Sequence, residues 1–377
     1  MKKSYVKKVL GIMTAVLLGI STLAGCGSND KPEQKTDGEE TKTETTDTKE
    51  ETADSAGEKE ADTSDSAMKK LGVICIDLNL PFYVEMMEAG TQAAEDYGVE
   101  SIWKSAEGNI DNEIALIDSF IEQKVDCILV DPIDVVALEP AVQRAYDANI
   151  PVVTMGNVVD GPHNVNTIYP DHDNCYAIAK LACEMMGGEG ELAFMVGAPG
   201  NYVSDMRQSG YEDAVKEYPD INYQILVSNY DAPTGLQKAQ EVMASTPELK
   251  AFACVTDDVT MSAMQALNKE VLIFSHDGSD ASIDYVKDGT FECTILTGSK
   301  RVGYWNVVIG AALANGEKVP KEVYLPTYWI VSDDAKKVID EKGLAEGMSV
   351  ISADEGKEKA NGYRDEFKPG SYEVPTE

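Results

Sequence analysis

Positions 78–83 read Leu-Asn-Leu-Pro-Phe-Tyr, at a corner between a β-branched apolar run (71–77) and an amphipathic stretch. A connecting turn needs only to be short and polar, so two aromatics there call for something to touch. Phe82 and Tyr83 could lay a wide, stiff apolar contact against a partner whose edges are then held by polar groups. Other corners carry polar or small residues of the same kind: Gly156-Asn157, Gly197 to Tyr202, Tyr230-Asp231, Thr256-Asp257-Asp258, His276-Asp277-Gly278 and Thr297. Asp257, Asp258 and Asp277 are also candidates for two-carboxylate hydrolysis, which needs a separation of about 5–9 Å. No GxxxxGK[ST] occurs and no GxGxxG follows a strand, so a phosphate cradle is disfavoured. With no C-x-x-C and the three histidines scattered, neither a metal nor a cofactor is expected.

The elements that would position these corners alternate with little interruption. Strands are predicted at 71–77, 99–104, 126–130 and 151–155, with helices at 82–97, 110–123 and 136–148 between them. After a connection, "NVVDGPHNVNTIYPD", helices at 173–186, 203–217, 234–246, 258–268 and 280–287 alternate with strands at 191–196, 221–228, 251–255, 271–275 and 291–297. That is the beat of βα units in parallel sheets covered on both faces, and open sheets of this kind bind ligands at the carboxyl ends of their strands. A helix at 299–315, a strand at 323–331 broken by Pro326 and a short helix at 333–342 follow. Two doubly wound lobes with leftover elements imply that the chain crosses between lobes more than once. From Ile351 onward apolar residues are few, and the tail is expected to drape or fray.

Lys2, Lys3, Lys7 and Lys8 lead into an apolar run from Val9 to Leu23, which closes with Leu23-Ala24-Gly25-Cys26. The run is short of the roughly 20 residues of a spanning helix and reads as an export signal. Its end resembles a lipobox, which implies removal of the signal at residue 26 and acylation of Cys26. Residues 27–67 contain no aromatic residue and no Leu, Ile, Val or Met; they read as an acidic, disordered tether with a reach of about 35 Å. Of the net charge of −34, most falls on Met68 to Glu377. Such acidity argues against nucleic acid and against binding anionic lipid through the domain's own surface. The six cysteines after Cys26 fall mostly in apolar runs and read as buried thiols.

From about Leu71 to Val331 the residues resemble the ribose-binding type of solute-binding protein that serves bacterial ABC sugar importers. The likeness rests on "LNLPFYVEMMEAG", "VDCILVDPID", "ANIPVVT", "MRQSGYEDAV", "TDDVTMSAMQAL" and "HDGSDASIDYVKDGTFECTI", in that order. It implies an α/β fold of two doubly wound parallel-sheet lobes joined by a three-crossing hinge, near Pro170-Asp171, Thr297-Gly298 and Tyr324-Pro326. The N-lobe would be 68–170 completed by 298–325, the C-lobe 171–297 completed by 326–345, with 346–377 as the tail. The resemblance makes Phe82 and Tyr83 a stacking pair on one lobe, Tyr230 the aromatic closing from the other, Arg207 a sugar-hydroxyl-binding arginine and Asp277 its acceptor.

Other positions depart from the ribose pattern: Leu80 stands for an asparagine, Gly156-Asn157 for an Asp-Arg pair, Thr256 for an asparagine and Thr297 for a glutamine. A site short of those partners is not tuned for ribose and has room for a larger or less densely hydroxylated ligand. Asp171 and His172 fall at a hinge position. The implied function is an extracytoplasmic, lipid-anchored, monomeric receptor that captures a sugar or sugar-like solute and delivers it to a membrane-embedded ABC permease. A receptor for a membrane sensor kinase is the alternative, and a lipoprotein hydrolase a third.

Overall fold

The computed structural model describes residues 68–161 and 163–367; the expected export signal, Cys26 and the expected acidic tether lie outside them. The first lobe is wound from β1 (Lys70–Cys75), α1 (Pro81–Asp96), β2 (Glu100–Ser105), α2 (Ile110–Gln123), β3 (Cys127–Val130), α3 (Val135–Asp147), β4 (Val152–Thr154) and β5 (Val165–Ile168). The second contains α4 (Asp171–Met185), β6 (Glu189–Val196), α5 (Tyr202–Val215), β7 (Asp220–Val227), α6 (Ala232–Ser245), β8 (Leu249–Cys254), α7 (Asp257–Ala263), β9 (Leu272–Phe274), α8 (Asp280–Lys287) and β10 (Cys293–Leu296). Then come α9 (Ser299–Ala314), β11 (Glu322–Tyr324), β12 (Tyr328–Val331), α10 (Asp333–Lys342), β13 (Val350–Ile351), α11 (Ala353–Asn361) and α12 (Tyr363–Glu366).

One sheet has the order β11-β5-β4-β3-β1-β2 and the other β13-β12-β10-β9-β8-β6-β7. Strands buried on both faces explain the near-continuous apolar runs. In β1, Leu71, Val73 and Cys75 point into one core cluster and Ile74 into the other. The first sheet is parallel throughout, whereas β12 runs antiparallel to β10, so the second is mixed. The chain passes between the sheets after β5, after β10 and between β11 and β12.

Three departures from the sequence reading have physical causes. The connection 156–170 contains a strand, β5, whose buried Asn166 and Thr167 hide its apolar character. Both are satisfied inside the lobe: Thr154 Oγ1 and Asn164 Nδ2 donate to Asn166 Oδ1 at 2.6 Å, and Thr167 Oγ1 donates to Asn306 Oδ1 at 2.9 Å. The strand expected at 323–331 is two strands in different sheets, divided where Pro326 interrupts it. Helix α7 is shorter than expected, ending at Ala263 in a 3₁₀ turn, Met264–Ala266.

The tail does not fray over 350–367. β13 pairs with β12, and Lys287 and Lys357 join α8 and α11 by ion pairs with Asp354 and Asp284. α12 then docks on the first lobe, where Trp305 Nε1 donates to the Tyr363 carbonyl at 2.8 Å and Phe367 stacks on Trp305. Arg364 closes the contact on Asp96 at 2.7 and 2.9 Å. Helix α11 starts from a reciprocal capping box in which Ser352 and Glu355 satisfy each other's backbone N–H groups. Ser352→Ala is expected to cost about 1 kcal/mol and to speed proteolysis within α11. Unchanged urea unfolding and cleavage would show that docking, not capping, holds the helix.

Candidate functional site

The corner at 78–83 is built by its own sequence. Leu80, half-buried and extended at φ −86°, is the N-cap of α1, and Pro81 takes the first helical position, where its missing N–H is no loss. Phe82 and Tyr83 therefore lie in the first turn, edge to face with centroids 5.4 Å apart. The Tyr83 hydroxyl donates to Asp131 Oδ2 at 2.9 Å, and Asn157 Nδ2 donates to Asp131 Oδ1 at the same distance. Asp131 follows β3 and Asn157 follows β4, so the strand ends of the first lobe meet on this carboxylate. Burial pushes its pKa up to about 7, against the two hydrogen bonds. Gly156, at φ +72°, donates its N–H to Thr167 Oγ1 and lets the chain turn between β4 and Asn157. Asn157 Oδ1 is buried without a partner.

In the second lobe Arg207, 7 % exposed, projects from α5 into a set of oxygens. Its Nε donates to Asp171 Oδ1 at 2.7 Å, and its Nη1 to the Val255 carbonyl and to Asp277 Oδ1, the latter at 3.3 Å. Thr256 Oγ1 donates to Asp277 Oδ2 at 2.7 Å, and His276 Nδ1 lies 3.3 Å from Asp277 Oδ1. Burial alone would raise the Asp277 carboxyl, but His276, Arg207 and Thr256 hold it below the usual range. Asp277 also sits at φ +115°, a conformation that costs free energy and persists only where the surroundings impose it. His276 is fully buried, its pKa lowered by burial and by Arg207, and its Nε2 has no partner.

Tyr230 is the second strained residue, at φ +60°, with its ring lying over Gly197. A Cβ at 197 would come within 2.2 Å of that ring, so only glycine fits beneath it. The hydroxyl donates to Asn201 Oδ1, whose other role is to cap α5. Burial and Asp131 push the Tyr83 hydroxyl's pKa well up, and Tyr230 of the second lobe adds to the rise. Phe82 and Glu85 of α1 line one cavity with Asp258 and Asp277 of the second lobe and Ser299 of α9, and Ser299 Oγ donates to Glu85 Oε2 at 2.5 Å. Thr297, 3 % exposed, follows β10 at the second crossing.

The expected residues thus gather as two clusters facing a cleft: Phe82, Tyr83 and Asn157 on one side, Arg207, Tyr230, Thr256 and Asp277 on the other. Leu80, Gly156 and Thr297 shape the backbone around them. Sequence reasoning missed Asp131, which stands directly after an apolar strand and was findable by the strand-end rule. It placed Asp171 at the hinge, where the structure also makes it the buried partner of Arg207. Asp257 is anchored by Ser275, Ser282, Thr294 and the Ser279 N–H, so it holds the 275–282 loop rather than standing ready for proton transfer. Among the described residues no group of His, Cys, Asp and Glu could hold a metal ion, and the six cysteines are buried thiols.

Two α/β lobes presenting strand ends to a shared cleft define a two-lobed ligand-binding fold. Residues 71–318 match the family described as periplasmic binding protein domain, and the chain belongs to that family. It is 26% identical over 284 residues to the xylitol-binding protein of Mycolicibacterium smegmatis, covering 74% of this chain and 81% of that one. To the ribose import binding protein of Bacillus subtilis it is 24% identical, covering 71% and 89%. Among solved structures, a Bacillus halodurans ABC transporter solute binding protein with bound myo-inositol matches at TM-score 0.67 and 23% identity, over 75% of this chain and all of that one. These relatives are binding proteins, not enzymes.

Proposed function

We propose that this protein is an extracytoplasmic solute receptor, anchored through Cys26, that closes on a sugar or polyol and delivers it to an ABC permease. The observation that carries this reading is the pairing across the cleft of aromatic rings with a buried arginine–carboxylate cluster. The rings suit the C–H face of a polyol; a guanidinium and a carboxylate with fixed orientation suit its vicinal hydroxyls. The unpartnered Asn157 Oδ1 and His276 Nε2 are buried polar atoms whose missing bonds a hydroxylated ligand would supply. The relatives' names point to the same ligand class, xylitol in one case and ribose in the other.

The test is a thermal-shift screen of the purified protein against pentoses, hexoses, pentitols, inositols and amino sugars. A ligand that binds only the folded form raises the melting midpoint by an amount that grows with the logarithm of its concentration over Kd. A rise with at least one polyol or sugar, together with a smaller radius of gyration by small-angle scattering, is expected; no rise with any member would refute the ligand class. Ribose itself is expected to bind weakly, because Gly156-Asn157 and Thr297 cannot supply the charges and amide of the ribose pattern. Submicromolar ribose affinity by calorimetry would overturn that specificity. Cys26→Ala is expected to move the protein from the detergent to the aqueous phase in detergent partitioning.

A further inference from the structure

Tyr169 follows β5 at the first crossing, and the Asp171 N–H donates to its carbonyl at 2.8 Å. The residue is 7 % exposed, and its ring lies against Gly156, where a Cβ would stand 3.7 Å away. Its hydroxyl has no hydrogen-bond partner in the protein. A buried hydroxyl without one is costly and uncommon, and each such case asks for a reason.

The charged groups whose fields act on this hydroxyl are Arg301 from α9, Asp171 and Arg207 from the second lobe and Asp131 from the first. None of them hydrogen-bonds this hydroxyl. Asp131 accepts from Tyr83 and Asn157, and Asp171 accepts from Arg207. Arg301 gives Nη1 to the Leu296 carbonyl and Nη2 to the Pro326 carbonyl and Glu366, which staples the second and third crossings together, while its Nε is buried without a partner. The hydroxyl is therefore left without a protein partner where the chain leaves β5 for the first crossing, beside the Gly156 turn. Burial raises its pKa, so the phenol stays protonated and can both donate and accept.

We propose that the Tyr169 hydroxyl is a specificity-determining group that hydrogen-bonds one hydroxyl of the bound sugar or polyol at the hinge end of the cleft. This rests on the receptor reading above and adds to it a contact outside the aromatic and Arg207–Asp277 sets. Gly156 belongs to the same arrangement: a Cβ there would touch the edge of the Tyr169 ring at 3.7 Å.

The experiment uses Tyr169→Phe in the full-length protein. Calorimetry is run with whichever of xylitol, D-ribose, D-allose and myo-inositol raises the parent's melting midpoint most, and then with the monodeoxy analogues of that compound. Binding at least tenfold weaker than the parent is expected, and for one deoxy analogue parent and variant should bind alike, because the bond is missing in both. The ligand-free variant should melt at or above the parent's temperature, since phenylalanine removes an unpaired buried hydroxyl. Binding within twofold of the parent, or equal losses with every deoxy analogue, would overturn the proposal. So would a lowered ligand-free midpoint, which would assign the hydroxyl a structural bond. If none of the four compounds binds the parent, the receptor reading loses its polyol ligand; the ligand-free midpoint then still decides whether the hydroxyl has a protein partner.

Discussion

Arg207→Ala destabilises the ligand-free protein by about 3–5 kcal/mol, the usual cost of breaking a buried ion pair from one side. Asp171 is 3 % exposed and its carboxylate takes the Nε bond; Asp277 retains Thr256 and His276 but loses its only full positive charge. Two carboxylates within one buried cluster would then face each other without compensation. Asp171→Asn in the alanine background should recover part of the loss, because it removes one of those charges. Arg207→Lys should not, since an ammonium cannot reach Asp171, Val255 and Asp277 with fork geometry. Ligand binding should fall as well. The protein's bonds fall on Nε and Nη1, which leaves Nη2 for a ligand hydroxyl; a charge-assisted bond of about 1.5–3 kcal/mol corresponds to roughly 10- to 150-fold in affinity. Urea unfolding of the three variants, followed by calorimetry, checks both parts. A single variant within 1 kcal/mol of the parent would mean that water reaches the cluster and screens it.

How much of this was legible follows the range of the interactions. Helices α2, α8 and α10 fall on their expected bounds, because an amphipathic pattern and an N-cap such as Asn109, Ser279 or Ser332 are local signals. β5 was missed because its buried Asn166 and Thr167 read as loop residues until their partners on β4 and α9 are known. Pro326 was visible as a break, but which sheet each half joins depends on pairings with β5 and β10 far away in sequence. The tail carried a local signal, Ser-x-x-Glu at 352–355, that low apolar content overshadowed; its docking rests on a few large contacts at Trp305 and Asp96. In the site, Phe82 and Tyr83 stood out as aromatics in a turn. The Arg207–Asp277 meeting came only through family resemblance, since nothing at either position shows that α5 and the end of β9 converge. Asp131 was hidden for the opposite reason, being an ordinary strand-end acid until Tyr83 and Asn157 arrive from other elements.

Unfolding free energy is expected to fall as pH rises from about 5 to 8.5, and Glu113→Gln should remove much of the slope. Glu113 is fully buried on α2 behind the Asp131 cluster. One oxygen accepts the Ile133 N–H at 3.1 Å and the other has no partner. Burial pushes its pKa up from 4.5 to about 8, opposed by that hydrogen bond and assisted by Asp131 and Asp134. Between those two values the folded protein keeps a proton that the unfolded chain has released. Stability due to this group is therefore fully present below pH 4.5 and is lost as pH climbs through about 8, at up to about 1.4 kcal/mol per pH unit. Asp131 and Asp257, each pushed up to about 7, act with the same sign. His276, lowered from 6.5, acts with the opposite sign up to about pH 6.5, and Asp277, lowered from 3.8, acts only below about pH 4. The glutamine keeps an acceptor for Ile133 and carries no charge, so the variant should match the parent near pH 5 and exceed it at pH 8.5 by a few kcal/mol. Urea unfolding at half-unit intervals of pH reads the slope directly. A parent curve that rises across pH 6–8, or a variant curve parallel to the parent's, would show that Glu113 is ionised in the folded protein and that its surroundings solvate the charge.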